Sequence, residues 1–208
     1  QLGDAPDAEV LNNTINGVCA NTTALTNEEA IGYGVIVQSI MGMCDNTIIN
    51  NNIININSTI AYGVEVFSSR YSNITNNNIT LNGAYSIGVG LALSRPVNIT
   101  ANNIKIYGDS SQKINPITEN VQPAISGVVT TQGACNATIL NNNIHVIDLN
   151  GNATGVLIGN VTLKNSIDAT VKNNIIDTNT LHGNDAVLNT TTSNMIVENN
   201  TGLITTIT

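Results

Sequence analysis

One hydrophobic column recurs along the chain: Val10, Ile48, Ile74, Ile99, Ile139, Val171 and Ile196. An asparagine stands three residues after each, at Asn13, Asn51, Asn77, Asn102, Asn142, Asn174 and Asn199. Two places further on come Ile15, Ile53, Ile79, Ile104, Ile144, Ile176 and finally Thr201. The intervals along the column are 38, 26, 25, 40, 32 and 25 residues, so the basic unit is about 25 residues long. A unit that short cannot bury its own apolar face and must stack on its neighbours.

Each unit holds three strand-like pieces. The first ends in the column residue, as in Asn73-Ile74-Thr75, and a tight turn carrying the asparagine follows. The second piece is like Ile79-Thr80-Leu81. The third is marked by Gly-Val at Gly34-Val35, Gly63-Val64, Gly88-Val89, Gly127-Val128 and Gly155-Val156, and by Ala186-Val187 in the last full unit. Alternation of period two with no helical periodicity makes each unit one coil of a parallel β-solenoid. The asparagines suit its turns, because Asn tolerates the left-handed conformation and its amide bonds to the amides above and below. The apolar content is 41%, with one Phe and no Trp, so Ile, Val, Leu and Ala build the core, as strands favour.

The clearest copies read NTIINNNI, SNITNNNI, VNITANNI and NATILNNNI, each leading to a Gly-Val strand. NITNNNI followed by GVxV resembles the repeat of pectate-lyase-like right-handed parallel β-helices. In its Asn- and Thr-rich form it is similar to adhesin-like surface proteins of methanogenic archaea. The resemblance spans residues 10–201. It implies a single-stranded right-handed parallel β-helix of about seven coils with an Asn ladder. The expected organisation is one domain: an N-terminal cap over 1–9, coils over 10–201 and a C-terminal strand over 202–208. The family hosts lyases, hydrolases, tailspikes and adhesins, so fold alone does not choose a function.

Composition narrows the classes. Six basic residues against 14 acidic ones give a net charge of −8, which argues against nucleic acid as a partner. No run of 18 apolar residues offers a membrane span. Gln1 opens the chain, as expected of a processed chain or a fragment. An extracellular or cell-surface location is expected. Eleven Asn-x-Ser/Thr sequons are then N-glycosylation candidates: Asn12, Asn21, Asn57, Asn73, Asn78, Asn98, Asn136, Asn152, Asn160, Asn189 and Asn199. A chain this rich in Asn and Thr also forms such triplets by chance. Three cysteines, Cys19, Cys44 and Cys135, leave at least one thiol unpaired. Cys44 and Cys135 fall three rungs apart, roughly 14 Å, beyond the ~7 Å reach of a disulfide. A Cys19–Cys44 bridge stays open, as does an intermolecular one.

Catalytic signatures are sparse. The eight aspartates form no adjacent pair of the kind a calcium-dependent lyase would use. His182-Gly183-Asn184-Asp185 has one acid where a glycosidase needs two. No metal or cofactor is expected, and the protein is expected not to be an enzyme. Two surface features remain. Long insertions at 20–33 and 108–123 flank short connections, framing a groove whose walls carry Glu28, Glu29, Lys113 and Glu119. Tyr33, Tyr62, Tyr85 and Tyr107 lie on that edge and suit a sugar ring, or equally cap strand ends. The residue after each Gly-Val points outward: Ile36, Glu65, Gly90, Val129, Leu157 and Leu188. Its apolar members Ile36, Val129, Leu157 and Leu188 form a candidate assembly face. The uncharged LITTIT ending is a strand that another chain could extend. The expected function is a self-associating structural protein of a filament, sheath or coat, or an adhesin module, whose partners are copies of itself. The alternative is binding or cleavage of cell-surface polysaccharide.

Overall fold

The structure, a computed structural model, describes residues 2–3, 5–19, 31–39, 44–109, 125–131, 134, 136–148, 150–151, 153–159, 168–180, 184–189, 195–202 and 204–206. Among them there is no helix, and every strand pairs in parallel in one of three sheets. Chain order begins in sheet A with β1 (Leu2–Gly3), then runs sheet B, sheet C, sheet A through six coils, and among the described residues closes with one strand of sheet B and one of sheet A. Sheet B holds seven strands: β2 (Glu9–Leu11), β5 (Ile48–Asn50), β8 (Ser72–Thr75), β11 (Val97–Thr100), β14 (Ala137–Leu140), β17 (Ala169–Lys172) and β20 (Met195–Glu198). Sheet C holds six: β3 (Thr14–Cys19), β6 (Ile53–Ser58), β9 (Asn78–Gly83), β12 (Asn103–Gly108), β15 (Asn143–Asp148) and β18 (Ile175–Thr180). Sheet A holds eight: β1, β4 (Ile31–Gln38), β7 (Ile60–Phe67), β10 (Tyr85–Ala92), β13 (Ile125–Thr131), β16 (Ala153–Ile158), β19 (Asn184–Asn189) and β21 (Ile204–Thr206). This is the arrangement of a parallel β-solenoid.

Register corrects the repeat at two coils. Val10 aligns with Ile49, then Ile74, Ile99, Ile139, Val171 and Val197. Ile48 and Ile196 sit one place off and face outward, Ile196 being 46% exposed. Ile53 is likewise exposed, and Ile54 takes the place it was expected to fill. The cause is local. The sequences IINNNI and MIVENN offer two and three adjacent apolar residues, and only one parity puts the next asparagine inside the turn.

The ladder shifts with them. Its members are Asn13, Asn52, Asn77, Asn102, Asn142, Asn174 and Asn200. Asn51 and Asn199 stand one residue earlier, in the left-handed column of Asn12, Asn51, Asn76, Ala101, Asn141, Asn173 and Asn199, where φ lies between 54° and 58°. The five inner members of the ladder are 1% exposed. Each follows one rule. Its backbone N–H and its Nδ2 both donate to Oδ1 of the next asparagine, and Nδ2 also donates to a carbonyl of the preceding coil. The buried turn backbone is thereby satisfied.

Sheet A approaches sheet C along a glycine column. A Cβ on Gly88 would lie 2.5 Å from both the Gly127 carbonyl oxygen and Ile104 Cγ2. A glycine here leaves room for the Ile side chains of sheet C against the backbone of sheet A. The core between the sheets is a set of Ile, Val and Leu columns at or near zero exposure. Leu2–Gly3 is not detached from the coils: it pairs with β4. The C-terminal strand β21 pairs with β19 of its own chain.

Asn102→Ala removes the acceptor of two Asn77 N–H groups and the donor to the Ile74 carbonyl. The expected loss is about 2–4 kcal/mol, since buried donors are left unsatisfied. It should appear in urea as a lower midpoint with an unchanged slope. Asn103→Ala cuts two exposed amide pairs, to Asn78 and from Asn143, and should cost about 0.5 kcal/mol.

Candidate functional site

The outer face of sheet A carries the one concentration of aromatic rings among the described residues. Val64 and Val66 point into the core, so Glu65 between them points out, and Tyr62 and Tyr85 emerge on the same side. Tyr33 and Tyr62 are register partners on neighbouring strands. Their rings stack with centroids 5.0 Å apart at 12°. Tyr85 lies 6.2 Å further on, tilted by 55°. Tyr107 is elsewhere: it sits on sheet C, edge-on to His145 at 6.4 Å. Three of the four sequence-chosen tyrosines therefore form one cluster. The insertions that were to wall a groove there, with Glu28, Glu29, Lys113 and Glu119, lie outside the described residues.

The outward stripe has the register expected of it: Ile36, Glu65, Gly90, Val129, Leu157 and Leu188 align rung by rung. Its exposure differs from the expectation. Val129 is 4% exposed and Leu157 0%, packed with Ile87 and flanked by Tyr62 and Tyr85 in a second apolar cluster outside the solenoid core. Ile36 is half-buried, and of Leu188 only the backbone is described. This stripe is not an open face over β13 and β16.

Burial in this cluster alters its ionisable groups. Desolvation pushes the Glu65 carboxyl above the ordinary carboxylate range. Burial also raises the Tyr62 and Tyr85 hydroxyls, and Glu65 adds to both shifts. Tyr33, 41% exposed, is raised for the same two reasons, burial first. The result is a platform of two stacked rings with a half-buried carboxyl beside it. It can present ring faces and a hydrogen-bonding acid to a flat polar ligand such as a sugar.

Charged groups elsewhere pair one coil apart. Arg70 binds Asp45 through Nε at 3.1 Å and Nη2 at 2.7 Å, and that hydrogen bonding holds the Asp45 carboxyl below its ordinary range. His145 Nδ1 lies 2.7 Å from Asp177, and Lys172 Nζ 2.9 Å from Glu198. The sequence reading missed all three. The signal was present: each pair is separated by the length of its own coil. Among the described residues no group of three metal-ligating side chains occurs, and no helix is long and apolar enough to cross a membrane.

Cys19 is half-buried and Cys44 buried, both as free thiols, so the Cys19–Cys44 bridge is not formed. Cys135 lies outside the described residues. Of the sequons, Asn12, Asn57, Asn78, Asn98, Asn136 and Asn199 are exposed and Asn73 is half-buried. Asn98 also donates to Asn73. Asn21, Asn152 and Asn160 lie outside the described residues, as does the side chain of Asn189. No protein-family model, curated protein or solved structure matches the chain.

The raised Glu65 carboxyl has a signed consequence. The folded chain holds this proton more tightly than the unfolded one, so stability falls as pH rises from the ordinary carboxylate value through the raised one. Glu65→Gln is expected to be more stable than the parent at about pH 7, with the gap closing near about pH 3, below the ordinary range of a carboxylate. Urea melts of both proteins at the two pH values check this. A gap of equal size at both would assign the effect to packing instead.

Proposed function

We propose that this chain is a right-handed parallel β-helix of about seven coils that works as a structural protein. In this reading it lies outside the cell or on its surface, joining copies of itself into a filament, sheath or coat, or serving as an adhesin module. The observation that carries the reading is the repetition itself: ladder asparagines, surface amides and ion pairs spend their hydrogen bonds on the neighbouring coil, so the described residues form one continuous stacked scaffold. A surface made polar by amides supports an extracellular setting: Asn55, Asn98, Asn103 and Asn143 each donate to the asparagine of the coil before. The resemblance to adhesin-like archaeal surface proteins points the same way, and the exposed sequons are its glycosylation candidates. One-to-one pairing of Asp45, His145 and Lys172 with partners a coil away favours a structural over a catalytic role.

Sedimentation velocity and negative-stain microscopy over a concentration series, with and without reductant, test the proposal. Ordered assemblies that grow with concentration are expected. A monomer throughout would overturn it.

A second reading rests on the Tyr33–Tyr62 stack with Glu65 beside it: a binding site for a cell-surface polysaccharide. Affinity electrophoresis through polysaccharide gels should then show retardation, weakened about tenfold (~1.4 kcal/mol) by Tyr33→Ala. Equal mobility of parent and variant in every gel would remove this reading.

A further inference from the structure

Two bulky side chains sit where the backbone disfavours them. Among the described residues, every non-glycine position with positive φ is Asn, Asp, Ser or Ala, except Tyr71 at 59° and Leu93 at 51°. Both lie at the corner between sheets A and B, in neighbouring coils. By register the Tyr71 column also holds Asp7, Asn46 and Asn136, each at 57°. Leu93 stands in one column with Ser68, also at 57°. Asn and Asp tolerate the left-handed conformation, and a bulky side chain strains it. Burial does not offset that strain, because Tyr71 is 58% exposed and Leu93 47%. Strained residues that face solvent with apolar side chains point to binding.

The neighbours of Tyr71 supply the chemistry. Arg70 precedes it, and Asp45 lies one coil before, with side chains 47% and 24% exposed. Arg70 Nε donates to Asp45 Oδ1 and Nη2 to Oδ2. Among the described residues Nη1 has no acceptor, and each carboxylate oxygen keeps a lone pair. The Tyr71 hydroxyl lies close enough to the guanidinium to act on it electrostatically. Arg95, on the next rung, has a partner of its own. The pair thus sets a hydrogen-bond donor beside an acceptor with no net charge, next to an open aromatic ring.

We infer that this corner binds a neutral saccharide, with one sugar ring on the face of Tyr71 and two adjacent hydroxyls bridging Arg70 and Asp45. The C–H face of a pyranose is apolar and packs on a tyrosine ring. One hydroxyl accepts from Arg70 Nη1, and its neighbour donates to an Asp45 oxygen. Leu93, one rung on, extends the apolar edge toward the next ring of the sugar chain. An acidic sugar fits worse, because its carboxylate would meet Asp45 on a chain of net charge −8. A protein partner fits worse as well, since two apolar side chains around one ion pair fall far short of the roughly 20–30 residues such an interface uses on each side. The site shares no residue with Tyr33, Tyr62 and Glu65. It rests on neither reading given above.

Affinity electrophoresis through gels of neutral β-glucan, neutral galactomannan and acidic polygalacturonate tests this, with thermal melts of the same chains. A neutral gel should retard the parent, and polygalacturonate should not. Tyr71→Asn should weaken the retardation about tenfold. The same change should raise the melting midpoint by about 2–4 °C, because the strain is relieved. Leu93→Asn should raise the midpoint likewise. Tyr71→Phe keeps the ring and should leave retardation and midpoint near those of the parent. Arg70→Lys keeps the charge, loses the planar fork and should weaken retardation. A parent that runs through both neutral gels as through a blank gel overturns the site, and so does Tyr71→Asn retarded like the parent. Retardation lost in Tyr33→Ala but kept in Tyr71→Asn assigns binding to the outer face of sheet A and overturns this corner alone. A midpoint that falls in Tyr71→Asn overturns the strain argument, since the tyrosine then serves stability. Retardation by polygalacturonate alone overturns the neutral class.

Discussion

A single side-chain amide, repeated once per coil, decides how this chain is built. Backbone turns between sheets B and C leave N–H groups facing inward where no strand can accept them. Each ladder asparagine accepts from the turn before it and donates to the turn after it, so no coil is satisfied without its neighbours. That makes the ladder cooperative along the axis. It also explains a core without large aromatics. Ile, Val and Leu columns fill a cross-section that the three sheets hold constant, and the amide column sets the spacing at that corner.

Geometry at the other corner is set by absence. The glycine column lets the Ile side chains of sheet C pack directly on the backbone of sheet A, and the valine after each glycine then points into the core. The same bend carries the residue before each glycine outward, which is how Tyr33 and Tyr62 come to stack. The aromatic platform is thus a by-product of a backbone constraint, and Glu65 reaches it because it falls on the outward parity of the same strand.

How much of this was legible depended on how many signals agreed. The third strand was read in register through every coil, because glycine and valine together permit one alignment. The first two columns were read correctly where a lone isoleucine precedes the turn, as at Ile74 and Ile99. They slipped by one where two apolar residues adjoin, at Ile48-Ile49 and Ile196-Val197. A left-handed column immediately before the ladder was the missing constraint, since runs such as Asn50-Asn51-Asn52 do not say which amide turns inward. The candidate site was half legible. Register could place Tyr33, Tyr62 and Tyr85 together, and it could have paired Asp45 with Arg70. It could not reveal that Val129 and Leu157 are buried, because strand parity assigns a side chain to a face and says nothing of how tightly that face is packed.

Two successive coils of this solenoid are equal in length at every column: Ile49, Ile74 and Ile99 are spaced 25 apart, as are Ile54, Ile79 and Ile104. Equal spacing means that the corner asparagine, the glycine and the core residues of one coil superpose on those of the next. In genetic terms this stretch is a cassette. Loss or gain of one 25-residue block keeps every column in register, so length is the property of this protein that inheritance can alter most freely.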